Sequence, residues 1–121
     1  MQYLQLSEAA DGVSFFVDAA FPMEQGDFAP PAPSMLVSGT IDAARCLFLE
    51  LPPGWGGAKH RSPRRQLAFC LGGRMKVTAG TGEVREVGPG GIWLMEDVRG
   101  SGHHSEVLGD APVRLAIVQL D

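Results

Sequence analysis

Gly54-Trp-Gly-Gly-Ala-Lys-His60-Arg-Ser62-Pro-Arg-Arg-Gln66-Leu-Ala-Phe-Cys-Leu-Gly-Gly73 carries a glycine loop into a histidine and then into an apolar strand. A second stretch echoes it: Gly90-Gly-Ile-Trp-Leu-Met-Glu-Asp-Val-Arg-Gly-Ser-Gly-His103-His104. The chain has three histidines, and all of them fall in these two places, beside apolar runs short enough to be strands. Polar groups gathered at strand ends imply one pocket in a small β-barrel.

Working outward, the pattern from Met35 is one of short apolar runs separated by glycine-rich turns. Strands are expected at Met35 to Ser38, Ala44 to Leu51, Gln66 to Leu71, Met75 to Ala79, Glu83 to Val87, Ile92 to Met95, Ser105 to Leu108 and Val113 to Leu120. Their number and spacing predict an all-β barrel or sandwich, with a helical turn allowed only at Ile41 to Ala44. Arg74-Met-Lys-Val-Thr-Ala and Glu83-Val-Arg-Glu-Val alternate apolar with polar, and Gly80-Thr-Gly82 joins them as a hairpin with one wet face. Upstream, Val13 to Val17 reads as a strand, whereas Met1 to Gly12 carries only a weak capping signal at Ser7 and reads as a short turn or helix. Phe21 to Pro33 contains four prolines, so it is expected to be extended: an arm lying across a sheet edge of its own or a second subunit, or a surface loop. The expected division is a strand and proline-rich arm over 1–32 and a barrel over 33–121, one domain overall.

Composition sets the bounds. In 121 residues, 45% hydrophobic and 20% charged, no apolar run approaches the roughly 18 needed to span a bilayer, so no membrane span is expected. The first twelve residues lack a basic segment followed by an apolar one, which makes the cytoplasm the expected location. A net charge of −4 argues against nucleic acid as a partner. Cys46 and Cys70 sit in apolar runs without a C-x-x-C spacing and read as buried free thiols.

The spacing of the two stretches resembles the cupin superfamily. Its first motif is Gly, five residues, His, one residue, His, three or four residues, Glu, six residues, Gly; here Gly54, His60, Ser62, Gln66 and Gly73 stand at those positions. In the second motif, Gly90 is followed after five residues by Glu96 where the family has proline. The loop to His103 is two residues longer, and Val107 stands at the asparagine position. More closely, Pro63-Arg-Arg-Gln66 and Gly100-Ser-Gly-His103 resemble a group of small bacterial single-domain cupins of unsettled activity. The resemblance covers about residues 33 to 121. It implies a cupin-type β-barrel, that is, a jelly-roll-like double-stranded β-helix; a homodimer is expected, with the Phe21 to Pro33 arm and an apolar sheet face buried against a second copy. In the cupin pattern three histidines and a glutamate bind one metal ion. Carried over, this leaves His60, Gln66 and His103 as ligands to a divalent transition metal (Zn, Fe, Ni, Mn or Cu), with Ser62 in a lost histidine position.

Strand geometry bears on the same residues without the family. If residues 60 to 66 run extended, His60, Ser62, Arg64 and Gln66 share one face. Of His103 and His104 only one can face inward; the family pattern selects His103, while an inward His104 would bring Glu106 with it as the missing carboxylate. Ser62, Arg64, His104 and Glu106 are therefore candidate ligand-binding residues. Lys59, Arg61, Arg64, Arg65 and Arg74 either prepare the mouth for an anionic small molecule or form a solvated loop. Two functions are open: a metal-dependent enzyme acting on a small, anionic molecule by oxygenase, isomerase or lyase chemistry, or a metal-free cupin that binds or senses a small ligand.

Overall fold

The computed structural model describes residues 1–121 as eleven strands without a helix, so no helix is long and apolar enough to cross a membrane. The strands are β1 (Gln2–Glu8), β2 (Ser14–Ala20), β3 (Met23–Gly26), β4 (Met35–Ser38), β5 (Arg45–Leu51) and β6 (Gln66–Gly72). They continue with β7 (Arg74–Thr78), β8 (Val84–Val87), β9 (Ile92–Met95), β10 (His104–Leu108) and β11 (Val113–Gln119). A six-stranded sheet in the order β2-β1-β9-β6-β11-β5 faces a three-stranded sheet in the order β10-β7-β8, and β3 and β4 pair only with each other. The all-β barrel expected from the glycine spacing is the fold observed.

Period two decides what lies between the sheets. On β6, Gln66, Ala68 and Cys70 point inward, while Leu71 is exposed on the other face. On β9, Trp93 and Met95 do the same; on β11, Val113, Leu115 and Ile117; on β7, Met75 and Val77. Cross-strand pairs bring these into one layer: Ala68 lies opposite Trp93, Gln66 opposite Met95, and Ile117 opposite Ala68. Leu6 of β1 completes the layer at 0% exposure, where truncation to alanine costs about 2–5 kcal/mol. At the wet surface Arg85 binds Asp18 through two hydrogen bonds and ties β8 to β2, and the guanidinium holds the Asp18 carboxyl below the usual carboxylate range.

Several expectations are corrected. Residues 1–12 form no helix: β1 is paired on both sides, antiparallel to β2 and parallel to β9. Its two inward residues, Leu4 and Leu6, are too few to declare a period in the sequence. β1 and β2 belong to the six-stranded sheet. Within the proline-rich arm Met23–Gly26 is extended, as β3, and its partner is β4 and not an edge of the main sheet. Ile41 to Ala44 takes up no helical turn. Cys46 is exposed on the outward face of β5, the edge strand of the large sheet, whereas Cys70 is buried and burial pushes its thiol up. In the native protein at neutral pH, iodoacetamide is therefore expected to alkylate Cys46 and spare Cys70, which mass spectrometry of the tryptic peptides will read directly.

Candidate functional site

The two histidine stretches meet because their backbones pair. His60 N donates to His103 O at 2.9 Å and His103 N donates to His60 O at 2.8 Å, an isolated antiparallel bridge between two loops. Gly102 makes this approach feasible. Its φ is +81°, and a Cβ there would stand 2.1 Å from His60 O. Gly100 is similarly crowded, with Gly12 O 2.1 Å from where its Cβ would be. The Gly-Ser-Gly spacing before His103 is thus dictated by contact with two other segments.

The same loop is held from the N-terminal side. The Glu8 carboxylate accepts from the backbone N–H groups of Arg99 and Gly100, at 3.0 and 2.6 Å. Ser14, fully buried, donates its hydroxyl to Gly102 O and accepts from Gly80 N, both at 2.7 Å. Residues 8–14 are therefore a support for the site, a role that the sequence does not disclose.

Inside this frame lies a chain of buried polar groups. Asp97 is 0% exposed and His103 2%. His103 Nδ1 lies 2.5 Å from Asp97 Oδ2, and because a carboxylate only accepts, Nδ1 carries the hydrogen. Ser62 donates its hydroxyl to the other oxygen, Asp97 Oδ1, at 2.7 Å, and its backbone N–H to Asp97 O at 3.1 Å. Both carboxylate oxygens are satisfied and the imidazole is fixed in one tautomer, with Nε2 as its second nitrogen. Nε2 makes no hydrogen bond within the protein, yet Trp93 Nε1 is the sole buried side-chain nitrogen or oxygen that is both sealed and unpartnered. Nε2 is accordingly reached from the cavity that His103 lines.

That cavity, about 260 Å³, lies between the sheets. Nine of its sixteen lining residues are apolar, including Leu47, Leu49 and Leu51 of β5, Met75, Trp93 and Leu115, and none is a lysine, arginine, aspartate or glutamate. Its polar groups are His60, Ser62, Gln66, His103, Ser105 and Gln119. The rings of His60 and His103 are 4.8 Å apart and tilted by 55°, and Trp93 stands edge-on to His103 at 5.4 Å. His60 is exposed at the mouth, its Nδ1 3.2 Å from Ala58 O. Gln66 accepts from Gln119 Nε2 at 3.2 Å, and its own Nε2 meets only the sulfur of Met95 at 3.8 Å.

His60, Ser62, Gln66 and His103 are thus brought to one cavity, and Arg64, His104 and Glu106 are not. Arg64 is exposed because the chain bends at residues 63–65 and becomes a strand only at Gln66, which breaks the alternation assumed for 60–66. His104 and Glu106 lie on the outer face of β10, where Glu106 pairs with Lys76 at 2.7 Å, so no register shift brings in a carboxylate. None of the basic residues expected at the mouth lines the cavity, and two of the five are paired elsewhere: Arg65 binds Glu96 and Arg74 binds Glu86. Asp97 was missed. Period two from Trp93 through Met95 puts it on the inward face and would have found it.

The donor set does not fit the metal that the cupin resemblance implies. Ser62 has given its hydroxyl to Asp97, Gln66 is a neutral amide bonded to Gln119, and the Asp97 carboxylate is spent on Ser62 and His103. No three His, Cys, Asp or Glu side chains gather as a ligand group. Two imidazoles remain, without a third strong donor.

No protein-family model matches the sequence, and no curated protein matches it. Among solved structures the fold is similar to the Schizosaccharomyces pombe Cnp3 cupin domain, at 14% identity and a TM-score of 0.49, over 89% of this chain and 73% of that one.

The hydrogen-bonded chain predicts a spectroscopic signature. Long-range ¹H–¹⁵N correlation should show neutral His103 protonated at Nδ1, and Asp97→Asn should abolish that preference and destabilise the fold by about 1–3 kcal/mol, because Ser62 and His103 lose a charged acceptor for their hydrogen bonds.

Proposed function

We propose that this chain is a metal-independent cupin-type protein that binds a small, uncharged, mainly apolar molecule, with its one polar end at His60, His103 and Gln66. The observation that carries this reading is the cavity wall, apolar along β5, β7, β9 and β11 and polar at one end, without a single charged side chain facing a ligand. An anion would be desolvated there without a counter-charge, which is costly. The expectation of an anionic substrate rested on basic residues that the fold places outside the cavity. At about 260 Å³ the space is near the lower end of ligand pockets, which fits a compact molecule.

Trp55 and Trp93 line the cavity, so occupancy has an intrinsic reporter. Fluorescence titration is expected to show phenylacetone binding about tenfold or more tightly than phenylacetate, its carboxylate counterpart. Tighter binding of phenylacetate would overturn the reading, as would stoichiometric divalent metal in protein purified without a histidine tag.

We also propose that the molecule is a homodimer built through the β3–β4 hairpin. This hairpin pairs with no other sheet and exposes Leu36 at 66%, Phe28 beside it is 73% exposed, and β5 offers a free edge with Phe48 at 73%. Exposed apolar surface of this kind is characteristic of an interface. Phe28→Ser with Leu36→Ser should give a folded monomer by sedimentation equilibrium; a dimer that survives both changes would reject this assembly.

A further inference from the structure

Resting on the ligand-binding reading above, we propose that the cavity is a proton-transfer site, in which His103 Nε2 is the general base that interconverts the keto and enol forms of a small, uncharged carbonyl compound.

Three features of the geometry meet in this assignment. The first is a base with a fixed lone pair. Asp97 holds the hydrogen on Nδ1 at 2.5 Å, so in the neutral ring the lone pair sits on Nε2, the nitrogen that the cavity reaches. When Nε2 takes a proton the imidazolium faces a carboxylate already in place, and Ser62 keeps that carboxylate from rotating.

The second is a donor for the carbonyl oxygen. Gln66, 6% exposed, has its oxygen tied to Gln119, which leaves its amide N–H groups opposite a thioether sulfur at 3.8 Å. Sulfur is a weak acceptor, so a ligand carbonyl or enolate oxygen improves on it.

The third is what the site lacks for other chemistry. The Ser62 hydroxyl points its hydrogen at Asp97 and makes no bond to His103, so serine and histidine are not arranged as nucleophile and base for acyl transfer. Cys70 does not line the cavity. Apart from Asp97, which is behind it, His60 is the one titratable side chain lining the cavity with His103, and it stands at the mouth, where protons can pass to water.

The step balances without a co-reactant. A C–H bond next to the carbonyl breaks and its proton goes to Nε2; the electron pair becomes a C=C bond as the carbonyl becomes an enolate held by Gln66. Nε2 then returns the proton to oxygen, giving the enol, or to carbon, regenerating the ketone. His103 and Gln66 touch the reacting atoms. Asp97 and Ser62 are positioning residues.

The test uses the intact chain and phenylacetone in D₂O, with proton NMR following loss of the CH₂ signal and Trp fluorescence measuring binding in parallel. Wild type is expected to accelerate exchange saturably over an equal concentration of free imidazole. His103→Gln should lose about 100-fold or more of that exchange. Asp97→Asn should lose about tenfold or more with phenylacetone affinity unchanged, a split that misfolding would not produce. Gln66→Leu, with near-UV circular dichroism as the check that the fold is kept, should also slow exchange. Saturable binding with exchange no faster than in His103→Gln would overturn proton transfer and leave the binding reading standing. Exchange equal in wild type and Asp97→Asn would overturn the role of the carboxylate. Absence of saturable binding would overturn both readings.

Discussion

A carboxylate with no solvent exposure constrains everything around it. Burying Asp97 between two sheets is unfavourable unless each of its oxygens receives a hydrogen, and the structure supplies one from Ser62 and one from His103. Those two donors come from loops far apart in sequence, so the loops must be brought together. The reciprocal bridge between His60 and His103 does this, and the absence of side chains at Gly100 and Gly102 permits it. Glu8 and Ser14 then fasten the second loop to the N-terminal strands. The loops around Ser62 and His103 are thus held where both oxygens of one carboxylate are satisfied.

The same constraint accounts for the two departures from the metal-binding pattern. At position 62 a hydroxyl is short enough to donate to Asp97 while its backbone N–H bonds the Asp97 carbonyl. At position 66 the side chain pairs with Gln119 on the neighbouring strand, and a neutral amide can both accept from that partner and keep donors of its own. A carboxylate there would bring a second buried charge with no cation near it. Serine and glutamine are therefore a consistent set, suited to a site where the charge lies behind the histidine.

The fold was legible because its signals are local. Glycine-bounded runs of four to seven residues, the alternation in Arg74 to Val87, and the Gly-x-Gly before His103 each announce geometry within a few positions, and the eight strands from Met35 onward fall within a residue of those expectations. The site was half legible. His60, Ser62, Gln66 and His103 were named from spacing, but Arg64 was carried along by an alternation that Pro63 interrupts. Asp97 went unassigned because the expected strand stops at its last apolar residue, Met95, and the alternation that places Asp97 inward has to be carried two residues beyond it. β1 was obscured for a different reason: a central strand shows itself through its neighbours, and its own two inward leucines make no periodic signal.

Charge placement connects the buried site to the surface. Two of the basic residues near the first motif pair with exposed acids, Arg65 with Glu96 and Arg74 with Glu86, and these pairs contribute little stability in water. Arg65 and Glu96 nevertheless flank the cavity residues Gln66 and Met95, and Glu96 also accepts from Gln5 on β1. Glu96 and Asp97 are adjacent and point to opposite sides: one joins a solvated network across three strands, the other turns inward to His103. Alternation along a single short segment thus separates a screened carboxylate, Glu96, from a fully buried one, Asp97. In the interior the electrostatic effect of one carboxylate on one imidazole is not diluted by solvent. A cavity with a charged wall would compete with Asp97 for the histidine. Its uncharged lining is what leaves Asp97 in sole control of where the imidazole proton sits.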